Sequence, residues 1–145
     1  MRYFLLLSSA VLLSASLCSC GFMTPAQQYA GEKKDASSIA LIQSYIGSPL
    51  GDEYHATISG FSYKPENGPL VTKHFGLPGF TDYPREMELS PGSYVLELYC
   101  FKSLTKPTYR PTFEISVQAG YSYTVKCDVV DGGASVKVSQ ETRLL

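Results

Sequence analysis

Apolar and polar residues alternate one for one through the second half of the chain, and this period of two predicts strands with one buried face. Met87 and Leu89 alternate with Glu86 and Glu88, and Ser90-Pro91-Gly92-Ser93 then carries turn chemistry. Tyr94, Leu96, Leu98 and Cys100 share one face, opposite Val95, Glu97, Tyr99 and Phe101. Phe113, Ile115 and Val117 form the next apolar face, and Ala119-Gly120 turns the chain. Tyr121, Tyr123, Val125, Cys127 and Val129 follow, and Asp131-Gly132-Gly133 leads to Ala134, Val136 and Val138. Successive alternating runs joined by short turns predict antiparallel pairing.

The first half is less regular. Ser38-Ile39-Ala40-Leu41-Ile42 reads as one strand, and Tyr54, Ala56 and Ile58 mark a second that stops at Gly60. Residues 61–85 are rich in proline and glycine, with room for one short strand around Leu70 to His74. Residues 21–37 are small and polar. There Thr24-Pro25-Ala26-Gln27 has the chemistry of a helix start, although a plain spacer is the simpler reading. At about 3.3–3.6 Å per residue, such a spacer reaches tens of ångströms.

The N-terminus changes the picture. Met1 and Arg2 precede an apolar run of about fifteen residues from Tyr3 to Leu17. That is short of the roughly 20 residues of a membrane span, so a cleaved signal peptide is expected over residues 1–19. The run closes on Leu17-Cys18-Ser19-Cys20-Gly21. This resembles the lipobox of bacterial lipoproteins, with an aliphatic residue at −3, a small residue at −1 and cysteine at +1. Cys20 fits that register, whereas Cys18 would put Leu17 at −1; Cys18 at −2 is a less usual choice. The resemblance implies a diacylglyceryl (palmitate-bearing) thioether and N-acylation on Cys20. At about 0.8 kcal/mol per buried CH₂, two or three chains anchor firmly where one is marginal. Gly21 in place of Asp implies delivery to the cell outer membrane; a lipid-anchored, periplasm-facing domain is expected there, although these residues do not distinguish it from a surface-exposed one.

Removing nineteen of 145 residues leaves 126, enough for one domain. Loss of Arg2 leaves 11 basic residues against 13 acidic ones, a net charge of −2, which gives nucleic acid no basic face. The chain has eleven tyrosines and no tryptophan, a composition that favours strands. With Cys18 cleaved and Cys20 acylated, Cys100 and Cys127 remain in an oxidising compartment. Both lie in phase with core positions, so a disulfide between them is expected, as against two thiols on strands that never meet. Closing a loop of about 27 residues contributes roughly 3–4 kcal/mol in the chain-entropy model.

Candidate chemistry is sparse. Asp52, Glu53 and His55 lie close in sequence but have no further ligand at metal spacing, and a solvated strand face accounts for them. His74 stands beside Lys73 with no nucleophile motif, and Glu86 and Glu88 read as solubilising charges on an exposed face. No enzyme, cofactor or metal is therefore expected. Phe61, Tyr63, Phe75, Phe80 and Tyr83 are possible ligand-binding residues, because aromatics on loops of a rigid sandwich stack on sugars or anchor proteins. The competing reading packs them over an open end of the sandwich. Lys102, Lys106, Tyr109 and Arg110 form a second, weaker candidate in a loop.

Leu89 to Leu98, Phe113 to Gly120 and Tyr121 to Val125 resemble the pattern L-x-P-G-x-Y-x-L-x-V…F-x-V-x-A-G-x-x-Y-x-V of PEGA-type extracytoplasmic modules. Tyr29-Ala30-Gly31 and Ser38 to Ile42 are similar to the mature start of proteobacterial lipoproteins carrying that module. The resemblance covers about residues 85–129 and implies fold and location more than activity. The expectation is a single antiparallel β-sandwich (Ig-like or transthyretin-like, about seven strands) over residues 38–141. It follows the signal peptide and a flexible lipidated tether at 20–37. The expected role is non-enzymatic: binding an envelope protein, or alternatively a glycan such as peptidoglycan through the loop aromatics.

Overall fold

The computed structural model describes residues 25–48, 50–76, 83–103 and 105–142. The strands are β1 (Ala26–Gln27), β2 (Ala40–Ser44), β3 (His55–Tyr63), β4 (Val71–His74), β5 (Glu86–Leu89), β6 (Gly92–Phe101), β7 (Thr112–Val117), β8 (Tyr121–Val130) and β9 (Gly133–Thr142). A single 3-10 turn at Ala36–Ser38 precedes β2. The strands form two sheets, a five-stranded one ordered β1-β5-β2-β8-β9 (sheet A) and a four-stranded one ordered β4-β3-β6-β7 (sheet B). The two face each other as a sandwich.

The alternation assigned the inward faces correctly. Leu96, Leu98 and Cys100 of β6 meet Tyr123, Val125 and Cys127 of β8 in one buried cluster, together with Ile42, Ala56, Ile58, Met87 and Leu89. Removing each such aliphatic side chain from water contributes about 1.5–3 kcal/mol. Cys100 and Cys127 form a disulfide, Cα–Cα 5.9 Å, that joins sheet B to sheet A across the core.

Three expectations need correction. The described strands number nine, because the short edge strands β1 and β4 add to the stronger signals. Sheet A is also not wholly antiparallel: β2 runs parallel to β8, and β1 parallel to β5. Alternation reports which side a residue faces, but a partner's direction depends on where the chain goes between strands. From β2 it crosses to sheet B and comes back only through β5, then again at β8. Lastly, β3 does not stop at Gly60. Its pairing with β6 shifts register between Ile58 and Gly60, leaving Ser59 as an extra residue. A bulge of this kind reverses the inward parity, so Ala56 and Ile58 point into the core and so does Phe61, which is 4 % exposed.

The stretch before β2 is docked along sheet A. Ala26 and Gln27 pair with Met87 and Glu88, and Gln28 N donates to Glu88 O at 3.0 Å. A strand, not a helix start, thus forms at Ala26–Gln27. Glu88, expected on an exposed face, is 3 % exposed. Leu41, directly opposite it in the ladder, is buried as well. The sequence at Glu88 shows a polar outward position, and nothing local reveals that a segment some sixty residues earlier covers it.

Candidate functional site

The outer face of sheet B carries the most concentrated functional chemistry among the described residues. On β6, Val95, Glu97, Tyr99 and Phe101 point away from the core, because Leu96, Leu98 and Cys100 occupy it. His55 of β3 lies directly opposite Phe101 and stacks on it, ring centroids 5.0 Å apart. Phe101 stacks on Tyr99 at 5.6 Å, and Tyr83 lies tilted against Tyr99 at 5.8 Å. The result is a row of four rings, all half-buried. The guanidinium of Arg110 sits 5.4 Å from the centroid of Tyr99, a cation–π geometry.

Glu97 links the row to its neighbours. Its carboxylate lies 3.5 Å from Arg110 and 3.5 Å from Nδ1 of His74 at the end of β4. Further along β6, Ser93 and Val95 join Ser62, Lys64, Glu114 and Ser116 around a groove of about 360 Å³ that Tyr63, Tyr94 and Ile115 also line. At about 3.3 Å per residue, Val95 to Phe101 spans roughly 20 Å of continuous surface. Below it, Thr57 and Ser59 are buried, and their hydroxyls donate to the carbonyls of Tyr99 and Glu97. Nδ1 of His55 is buried with no hydrogen-bond partner among the described residues, and the ring stacks on Phe101.

The loop aromatics do not converge on one site. Phe61 packs against Tyr63, Phe75 and Tyr94, at centroid distances of 6.2, 5.9 and 6.1 Å. These four rings close one end of the core, which leaves buried Phe61 with no face for a ligand. Burial raises the pKa of Tyr94, with the nearby Tyr63 adding to the effect. Its hydroxyl donates to Ser90 O at 2.8 Å. Tyr83 stands apart, on the outer row. Phe80 and Cys20 lie outside the described residues.

The charged candidates are engaged within the chain. Asp52 accepts from Lys102 at 2.6 Å, which lowers its pKa. Glu53 accepts from Lys126 at 2.6 Å and from the hydroxyl of Tyr45. The Lys126 bond, then the Tyr45 bond, lower the pKa of Glu53, and the bond to Glu53 in turn raises those of Tyr45 and Lys126. Asp52, Glu53 and His55 therefore point to three different partners, and no three metal-binding side chains gather among the described residues. Among the described residues of the loop 102–110, Tyr109 bridges Cys100 on the core edge, and only Arg110 joins the outer row.

No protein-family model matches the chain, and no curated protein or solved structure matches it. The sequence does carry a signal for the outer row: Tyr99 and Phe101 are aromatics on the solvent side of a strand whose other side is already apolar.

Proposed function

We propose that the protein is a lipid-anchored envelope module that binds another protein through the outer face of sheet B. On this reading Cys20 carries the lipid, the sandwich is of the Ig-like or transthyretin-like kind, and the domain faces the periplasm from the outer membrane without enzymatic activity. The lipobox register supports the anchor, and the Cys100–Cys127 bond accords with an oxidising compartment. Ala26 is six residues past Cys20, so β1 sits within about 20 Å of the acylated residue at full extension.

The observation that carries the binding reading is the row His55–Phe101–Tyr99–Tyr83 capped by Arg110. Tyrosine, phenylalanine and arginine are enriched in protein interfaces, where half-exposed rings lose their remaining water at little entropic cost. Sugar stacking needs open ring faces. Here neighbouring rings lie 5.0–5.8 Å apart with planes 23–31° from parallel, and the Arg110 guanidinium sits 5.4 Å from the Tyr99 centroid.

Glycan binding is the second reading, and the groove favours it, with Ser62, Ser93 and Ser116 lining it beside Tyr63 and Tyr94. The test compares Arg110→Glu with Ser93→Trp, which fills the groove. Loss of a co-purifying protein with Arg110→Glu alone, at unchanged melting temperature, supports the protein reading. Loss of retention on cell-wall glycan with Ser93→Trp alone supports the other. For the anchor, Cys20→Ala abolishes palmitate incorporation and releases the protein from membranes.

A further inference from the structure

The far edge of sheet A presents a different problem. β9 is ten residues long and pairs only with β8, so one side of its backbone has no ladder partner among the described strands. The other edge strands are shorter: two residues in β1, four in β4 and six in β7. A long open edge is a template for another strand, and proteins usually blunt one with proline, a bulge or several charges. β9 has no proline, keeps unbroken register with β8 from Gly133 to Thr142, and carries two charges, Lys137 and Glu141.

Those two charges select a partner. We propose that β9 pairs antiparallel with β9 of a second copy of this chain, with Ser139 opposite Ser139 on the two-fold axis. In that register Lys137 lies directly opposite Glu141 of the other copy, and symmetry makes the pair twice. Sliding the strands to put Lys137 opposite Lys137, or Glu141 opposite Glu141, sets like charges face to face, which is unfavourable. Glu141 pairs with no cation among the described residues of its own chain. Val138, 41 % exposed, gains its own copy as a diagonal neighbour across the axis.

Within one chain, Lys137 stands opposite Lys126, and each lysine has its own carboxylate: Asp128 at 2.6 Å for Lys137, Glu53 at 2.6 Å for Lys126. Asp128 lies on β8, inside the edge, so Lys137 can hold it and still meet a strand arriving from outside. Directly opposed residues of an antiparallel pair share a face of the sheet. The two copies would therefore form one ten-stranded sheet with both B sheets on the same side. Their outer faces would look the same way, and a bivalent surface gains avidity without new contacts.

The test uses the full chain in detergent. Ser139→Cys, opposite itself with Cβ atoms about 4.5–5.5 Å apart, gives a covalent dimer under mild oxidation, whereas exposed Ser116→Cys on β7 does not. Lys137→Glu weakens dimerisation about tenfold or more, and adding Glu141→Lys restores it. That double variant still lacks a lysine for Asp128, so rescue separates the intermolecular pair from the internal one. A monomer at all concentrations, a dimer that Ser139→Cys does not trap, or a double variant that is not rescued overturns the proposal.

Discussion

The hydroxyl of Tyr29 donates to the buried carboxylate of Glu88 at 3.1 Å, tying the segment before the first long strand to the heart of sheet A. The same segment supplies the cation nearest that carboxylate, Lys33 at 4.0 Å. Lys73 of β4 reaches it from the other sheet, donating to the side chain of Gln28 at 2.6 Å. A buried carboxylate whose partners come from one short segment binds that segment firmly, because undocking leaves it unpaired. Tyr29→Phe is expected to cost about 1–3 kcal/mol. It should also speed hydrogen exchange at the Gln28 amide, which bonds Glu88 O, while amides of β6 exchange as before.

The Cys100–Cys127 bond is the covalent link between the sheets, closing a separation of 27 residues. Replacing both cysteines by alanine is expected to lower stability by about 2–4 kcal/mol, read as a shift in urea midpoint. Intact mass should fall by two sulfurs less two hydrogens relative to the bonded protein. A gain of two hydrogens when the unaltered protein is reduced checks the bond itself.

Gly60 follows the bulge in β3, where a Cβ would lie 2.9 Å from the carbonyl of Lys73 and 3.0 Å from His74 Nδ1. The first contact is backbone and cannot swing away. Gly60→Ala is expected to cost about 1–3 kcal/mol by overpacking and to loosen β4 selectively. Loss of exchange protection at Phe75, whose amide bonds Ser59 O, would show this.

The Tyr45–Glu53–Lys126 cluster has a pH window with two edges. Lys126 and Tyr45 hold the pKa of Glu53 low, so its contribution is present above the ordinary carboxylate value, about 4, and fades as pH falls through the lowered one. Glu53 holds Tyr45 and Lys126 high, so theirs is present below about 10 and fades as pH rises further. The gap in melting temperature between the unaltered protein and Glu53→Gln should be flat from about pH 5 to 9 and narrow on both sides.

Much of the fold was legible because alternation is a local signal. The faces of β6, β7 and β8, the turn at Ser90 to Ser93 and the alignment of Cys100 with Cys127 all follow from it. What escaped is non-local. A bulge at Ser59 reverses parity without any glycine or proline at the extra residue, which moved Phe61 from loop to core. Glu88 looks solvent-facing until Tyr29 arrives from far away in the chain. The outer row was half visible: His55, Tyr83 and Arg110 drew attention separately, in three distant stretches, but only folding gathers them around Tyr99 and Phe101 of β6.

The central claim, that the outer face of sheet B binds a protein, is tested most directly by site-specific photocrosslinking in native membranes. A photoreactive residue at Val95, exposed on that face, is compared with one at Ser135 on β9, each with and without Arg110→Glu. The account predicts one protein adduct from position 95 that Arg110→Glu removes, and a different pattern from position 135. A position-95 adduct indifferent to Arg110→Glu, or no protein adduct there at all, would contradict it.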